Sequence, residues 1–235
     1  MKTKSKFKYT LLKTLSCILF FICLSGCNQS FKSPELDATG ASYTHTYNWY
    51  YDGQEYQLTI TTPVTTYLHY LLKPHVPIEE WNTLVKEDPE FPYLASLDQG
   101  LYSAVANRHL NNQEFAQFVL SFVQNMSYGI HYEPFQIESP KYPLVSLIDG
   151  EKDCKDGSLL YAAIMSSMHR GYNMKLFALP GHMAVGISGF PDKQPFYKEN
   201  GTIFAYAETT CPIALGDLPT GIGSFQLRHV FPINN

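Results

Sequence analysis

Asp153-Cys154-Lys155-Asp156-Gly157 is followed at once by a long apolar run, which predicts a cysteine on the first turn of a helix. Farther along come Gly181-His182-Met183 and Ala207-Glu208-Thr209-Thr210. Cysteine, histidine and carboxylate thus occur in that order, each in a locally distinctive segment. A thiol at a helix N-terminus feels the positive end of the helix dipole, which favours the thiolate. A thiolate with a histidine partner, and a carboxylate to orient the imidazole, makes a nucleophilic acyl-transfer site. Asp153 and Asp156 have a different part. Asp153 is placed to cap the helix, and Asp156, three residues on, to bond back to the Asp153 amide, as in a capping box.

The elements that must position these residues follow from periodicity and punctuation. Residues 43–61 alternate about Asp52-Gly53 and predict a β-hairpin. Thr66–Leu72 suits helix or strand, and Ile78–Lys86 a short helix. From Tyr93 to Met126, Leu94, Leu97, Leu101, Phe115, Phe118, Val119 and Phe122 fall on helical spacing. Asn111 or Asn112 divides that stretch into two helices. Residues 127–150, with Pro134, Pro140 and Pro143, read as loop. Leu159–Met168 is helical and ends near Gly171. Lys175–Leu179, His182–Ser188 and Thr202–Glu208 read as strands, separated by Pro180-Gly181 and by residues 189–201, and ended by Pro212. Helices first and antiparallel strands after make an α+β arrangement. His182 and Glu208 on neighbouring strands can then meet at one end of the sheet.

The N-terminus carries a separate message. Lys2, Lys4, Lys6, Lys8 and Lys13 form a basic segment, and Leu15–Leu24 is apolar but too short to span a bilayer. Leu24-Ser25-Gly26-Cys27 resembles the lipobox of bacterial lipoproteins. That resemblance implies a signal peptide over residues 1–26 and lipidation of Cys27. It also implies an extracytoplasmic protein held at a membrane by acyl chains. Ser30, Ser33, Pro34, Thr39 and Gly40 make 27–42 a flexible spacer, and the length from 43 to 235 suits a single domain. Asn28 resembles the outer-membrane preference where a host has two membranes. The chain's net charge is −4, and loss of those five lysines takes it to −9. So acidic a domain does not suit nucleic acid. Of five cysteines, Cys17 and Cys23 leave with the signal and Cys27 is lipidated, so Cys154 and Cys211 remain. In an oxidising compartment these two can form a structural disulfide, which would make the domain a non-catalytic binding module, or a reversible one that gates an enzyme.

Tyr142-Pro143, Leu147, Gly150, Asp153-Cys154-Lys155-Asp156, Gly171-Tyr172, Pro180-Gly181-His182 and Tyr206-Ala207-Glu208-Thr209-Thr210 together resemble the bacterial transglutaminase-like superfamily over about residues 115–219. The resemblance implies a papain-like α+β fold, with the catalytic cysteine at the start of a helix packed on an antiparallel sheet. It makes Cys154 the nucleophile, His182 the base and then the acid, and Glu208 the residue that orients the imidazole. The implied activity is that of a cysteine peptidase, amidase or transglutaminase acting on a peptide or protein amide in the cell envelope. The chain departs from the family in using glutamate where aspartate is commoner, and in having Met183-Ala184-Val185 where aromatic residues often follow the histidine. Besides the Cys154 amide, Gln124, Tyr128 and Tyr142 are candidate oxyanion donors, unranked by spacing. His45, His69, His75, His109, His131, His169 and His229 have no partner at useful spacing and are expected on the surface. There is no HxxxH, no CxxC and no glycine-rich phosphate loop, so neither metal nor cofactor is expected. The number of subunits stays open.

Overall fold

A computed structural model describes residues 34–129, 139–168, 170–194 and 196–233. The lipobox, the signal segment, His131 and His169 lie outside the described residues. The chain is a mixed α+β protein with antiparallel sheets. Strands β1 (Glu35–Leu36), β2 (Ser42–Tyr51) and β3 (Gln54–Pro63) form the first sheet. The expected hairpin is β2–β3, and Asp52 and Gly53 at its turn both have positive φ, 50° and 72°. That pair of dihedrals belongs to the two-residue turn whose twist matches flanking strands. Strand β1 falls within the residues read as spacer, where Glu35 and Leu36 pair with Thr44 and Tyr43 of the hairpin.

Helix α1 (Val64–Leu71) settles the ambiguous Thr66–Leu72 stretch as helix, and a 3-10 turn occupies Ile78–Thr83. Helices α2 (Leu94–Ala104) and α3 (Asn112–Gln124) divide at Asn111 as expected. The Asn111 side chain accepts from the Glu114 amide at 3.0 Å, and Glu114 accepts from the Asn111 amide at 2.8 Å, a complete capping box. Trp49 of β2 packs its ring against Phe118 and Phe122 of α3. This contact joins the hairpin to the helical core.

Residues 127–150 are not all loop. Strand β4 (Ser127–Tyr128) pairs in parallel with β5 (Glu151–Lys152), and helix α4 (Pro143–Asp149) lies between them in sequence. Pro143 stands at the first helical position, where its fixed φ suits a helix and its missing N–H costs nothing. Gly150, at φ 72°, closes α4 in the left-handed conformation. His45 and His69 are not bare surface residues. The His45 ring nitrogen Nδ1 lies 3.1 Å from the Ile148 carbonyl, and His69 Nε2 is 3.0 Å from Asp88 Oδ2.

Helix α5 (Cys154–Ser167) starts on the cysteine, and every residue from Asp156 to Met165 is buried. It runs through the centre of the protein, between α2, α3 and α4 on one side and the second sheet on the other. That sheet is antiparallel throughout, in the order β10-β6-β7-β9-β8. Strands β6 (Met174–Leu179), β7 (His182–Ile187) and β9 (Thr202–Ala207) match the three expected strands. Strands β8 (Tyr197–Glu199) and β10 (His229–Ile233) were not expected and form its two edges. Pro232 is tolerated inside β10 because an edge strand can do without one ladder donor. Among the described residues no helix is long and apolar enough to cross a membrane.

Candidate active site

Cys154 is the first residue of α5, and the capping residues hold that turn as expected. Asp153 Oδ1 accepts from the Lys155 and Asp156 amides at 2.7 and 2.9 Å, and Asp156 Oδ2 accepts from the Asp153 amide at 3.2 Å. The second Asp156 oxygen accepts from the Lys141 amide at 2.7 Å, which ties the approach to α4 onto the first turn of α5. Burial, and the charge of Asp153 nearby, push the Asp156 carboxyl up to about 6 against the pull of these two amides.

His182 opens β7 directly after Gly181, whose φ of 71° lets the β6–β7 connection close in two residues. The histidine is 7% exposed. It shares a side-chain hydrogen bond with Cys154, and its Nε2 lies 2.9 Å from Glu208 Oε2. Glu208 follows the last residue of β9. The register opposes Val185 to Ala207, so one further step sets Glu208 opposite Ala184, with His182 its diagonal neighbour on the same face. A diagonal pair is farther apart than a direct one, and the extra methylene of glutamate spans the difference.

The Glu208 carboxylate is 1% exposed and fully occupied. Oε2 takes His182 and the Tyr206 hydroxyl at 2.8 Å, and Oε1 takes the Thr210 amide at 2.9 Å and its hydroxyl at 2.6 Å. Burial alone would raise the carboxyl. The His182 charge and the hydrogen bonds from His182 and Thr210 outweigh it and hold Glu208 down to about 2. Burial alone would likewise lower His182. The Glu208 charge, with hydrogen bonds to Cys154 and Glu208, raises it to about 10, so the ring is an imidazolium at neutral pH. Since Nε2 is committed to Glu208, proton exchange with the thiol falls to Nδ1.

The three candidate oxyanion donors part company. Gln124, buried at the end of α3, gives its amide nitrogen to the backbone carbonyls of Glu208 and Ile213 at 2.9 and 2.8 Å. It fixes the segment that carries Glu208, and those donors are not available to an oxyanion. Tyr142 precedes α4, with its ring 5.7 Å from that of Tyr70 and the Lys73 ammonium 5.6 Å from its centre. Tyr128 is the candidate beside the thiol. The register pairs it with Lys152, two residues before Cys154, and its hydroxyl is raised first by burial and then by the charges of Cys154, Asp153, Glu208 and Asp156.

Two residues of the site were quoted in the sequence without a role, Tyr206 and Thr210. They stand two positions before and after Glu208, and a period of two is the signal that puts them on its side of the chain. Cys211 is buried, and Cys154 and Cys211 are not joined in a disulfide, the bond that the binding-module alternative requires. No protein-family model matches the chain, and neither the curated proteins nor the solved structures give a match.

Proposed function

We propose that this protein is a thiol-dependent acyl-transfer enzyme of papain-like or transglutaminase-like architecture. It would act on a peptide or protein amide as a peptidase, amidase or transglutaminase. The observation that carries this reading is a single buried imidazole held between a half-buried thiol at a helix N-terminus and a fully satisfied carboxylate. His182 holds the proton that the thiol gives up in the reaction. The Cys154 sulfur attacks the substrate carbonyl carbon, and the C=O π pair moves onto oxygen. The Cys154 amide, in a first turn without an intrahelical acceptor, and the Tyr128 hydroxyl supply the oxyanion donors. The tetrahedral centre collapses, and the amine leaves with the proton from His182. A thioester remains on Cys154. Water or an acceptor amine then gives its proton to His182, attacks the thioester and returns the thiolate.

The reading includes the cell envelope as the place of action, with a lipid on Cys27 as the anchor and envelope peptides as substrates. The test of the chemistry is alkylation by iodoacetamide near neutral pH without reductant. Cys154 is expected to react fast, and His182→Ala to slow it by about two orders of magnitude or more. Cys154→Ser is expected to fold and to lose all acyl transfer. Equal alkylation rates with and without His182, or turnover by Cys154→Ser, would remove the assignment.

A further inference from the structure

Between α1 and α4 lies a cavity of about 140 Å³ whose lining is mostly apolar. Tyr70, Val76, Leu84, Tyr142 and Val145 supply that lining. An apolar cavity of this size accommodates a benzene-sized group. Two cations line it as well, Lys73 and Lys141, each partly exposed. The Lys73 ammonium lies 4.8 Å from the centre of the Tyr70 ring and 3.2 Å from Asp88, and the Lys141 ammonium lies 2.9 Å from Asp149. An ammonium has three donors, so one carboxylate oxygen does not exhaust either lysine. Neither aspartate lines the cavity. A chain whose charge is otherwise negative therefore presents two positive groups around an apolar hollow. The hollow is also fastened to the nucleophile's helix, because the Lys141 amide donates to Asp156, two residues past Cys154.

We propose that this cavity binds an aromatic or branched apolar group that carries a free carboxylate, the chemistry presented by the end of a peptide chain. Its description as a substrate subsite rests on the acyl-transfer reading above; its preference for an apolar anion does not.

The experiment is calorimetric titration of the full chain with benzoate, benzamide and benzylamine, which share a ring and differ in charge. Benzoate is expected to bind about tenfold more tightly than benzamide, the order of one charge-assisted hydrogen bond, and benzylamine more weakly than either. Lys73→Met together with Lys141→Met is expected to erase the advantage of benzoate over benzamide while keeping benzamide binding. Val145→Phe, which fills the hollow, is expected to lose all three ligands without lowering the thermal midpoint. Equal affinities for benzoate and benzamide, or benzoate binding retained in Val145→Phe, would overturn the proposal. Alkylation of Cys154 in the same samples separates the two readings. A reactive thiol with no benzoate binding sinks only the cavity, and benzoate binding with an inert thiol sinks only the acyl transfer.

Discussion

One buried carboxylate organises the candidate site. Glu208 accepts four hydrogen bonds, and only one of them comes from the imidazole. A buried charge is tolerated only when its lone pairs are satisfied. Tyr206 and Thr210 are therefore part of the reason that His182 can be a buried cation. Cys154, His182 and Glu208 could be found in the sequence because each stands at a local boundary: a helix start, a strand start after glycine, a strand end. The candidate oxyanion donors could not be ranked, since Tyr128 is set near the start of α5 by a two-residue parallel pairing with Lys152 that leaves no periodic trace. Tyr128→Phe separates its role from that of the thiol. Hydrolysis of an activated ester such as p-nitrophenyl acetate is expected to fall about a hundredfold, the cost of one oxyanion donor. Alkylation of Cys154 by iodoacetamide forms no oxyanion and is expected to keep its rate. Equal losses in both assays would assign Tyr128 to the thiol instead, and unchanged hydrolysis would remove it from the site.

At the scale of elements, the approach of the strand end to the first turn of α5 decides whether Glu208 reaches His182. Gly157 is the contact point. A Cβ there would lie 2.8 Å from Lys152 Cδ and 3.0 Å from Thr209 Oγ1, and all three residues are buried. Within a helix, Gly→Ala ordinarily gains about 1 kcal/mol. Here the added methyl must push Thr209 outward by tenths of an ångström and take Glu208 with it. Gly157→Ala is expected to lower stability in urea unfolding rather than raise it, and to slow alkylation of Cys154. A gain in stability with unchanged alkylation would mean that the strand end yields freely. The hairpin, the capping box of Asp153 and Asp156 and the three central strands were legible because turn chemistry and alternation mark them locally. Helix α4 was not, because Pro143 read as a breaker, and strand β10, which holds Pro232, carried no mark in the sequence. A proline is compatible with a first helical turn and with a sheet edge, and only the tertiary position tells these from a loop. Strand β10 pairs with β6 from across the chain, a contact that no local pattern announces.

For the molecule as a whole, the buried pair ties stability to pH in a definite direction. His182 is raised from 6.5 to about 10, so its contribution is full below pH 6.5 and is lost as pH rises toward 10. Glu208 is lowered from 4.5 to about 2, so its contribution is full above pH 4.5 and is lost as pH falls toward 2. Both are complete only between about pH 4.5 and 6.5. Glu208→Gln removes the charge, and the buried His182 is then expected to titrate far below 10. The stability difference between the native chain and Glu208→Gln, measured by urea unfolding at pH 5.5, 7.5 and 9.5, is expected to be largest at 5.5 and to shrink at each step. An enzyme that kept this pair as its resting state would carry its own stability optimum on the acid side of neutrality, where its imidazolium is also secure. A difference that stays flat across the three values, or grows with pH, would mean that His182 is neutral in the folded protein.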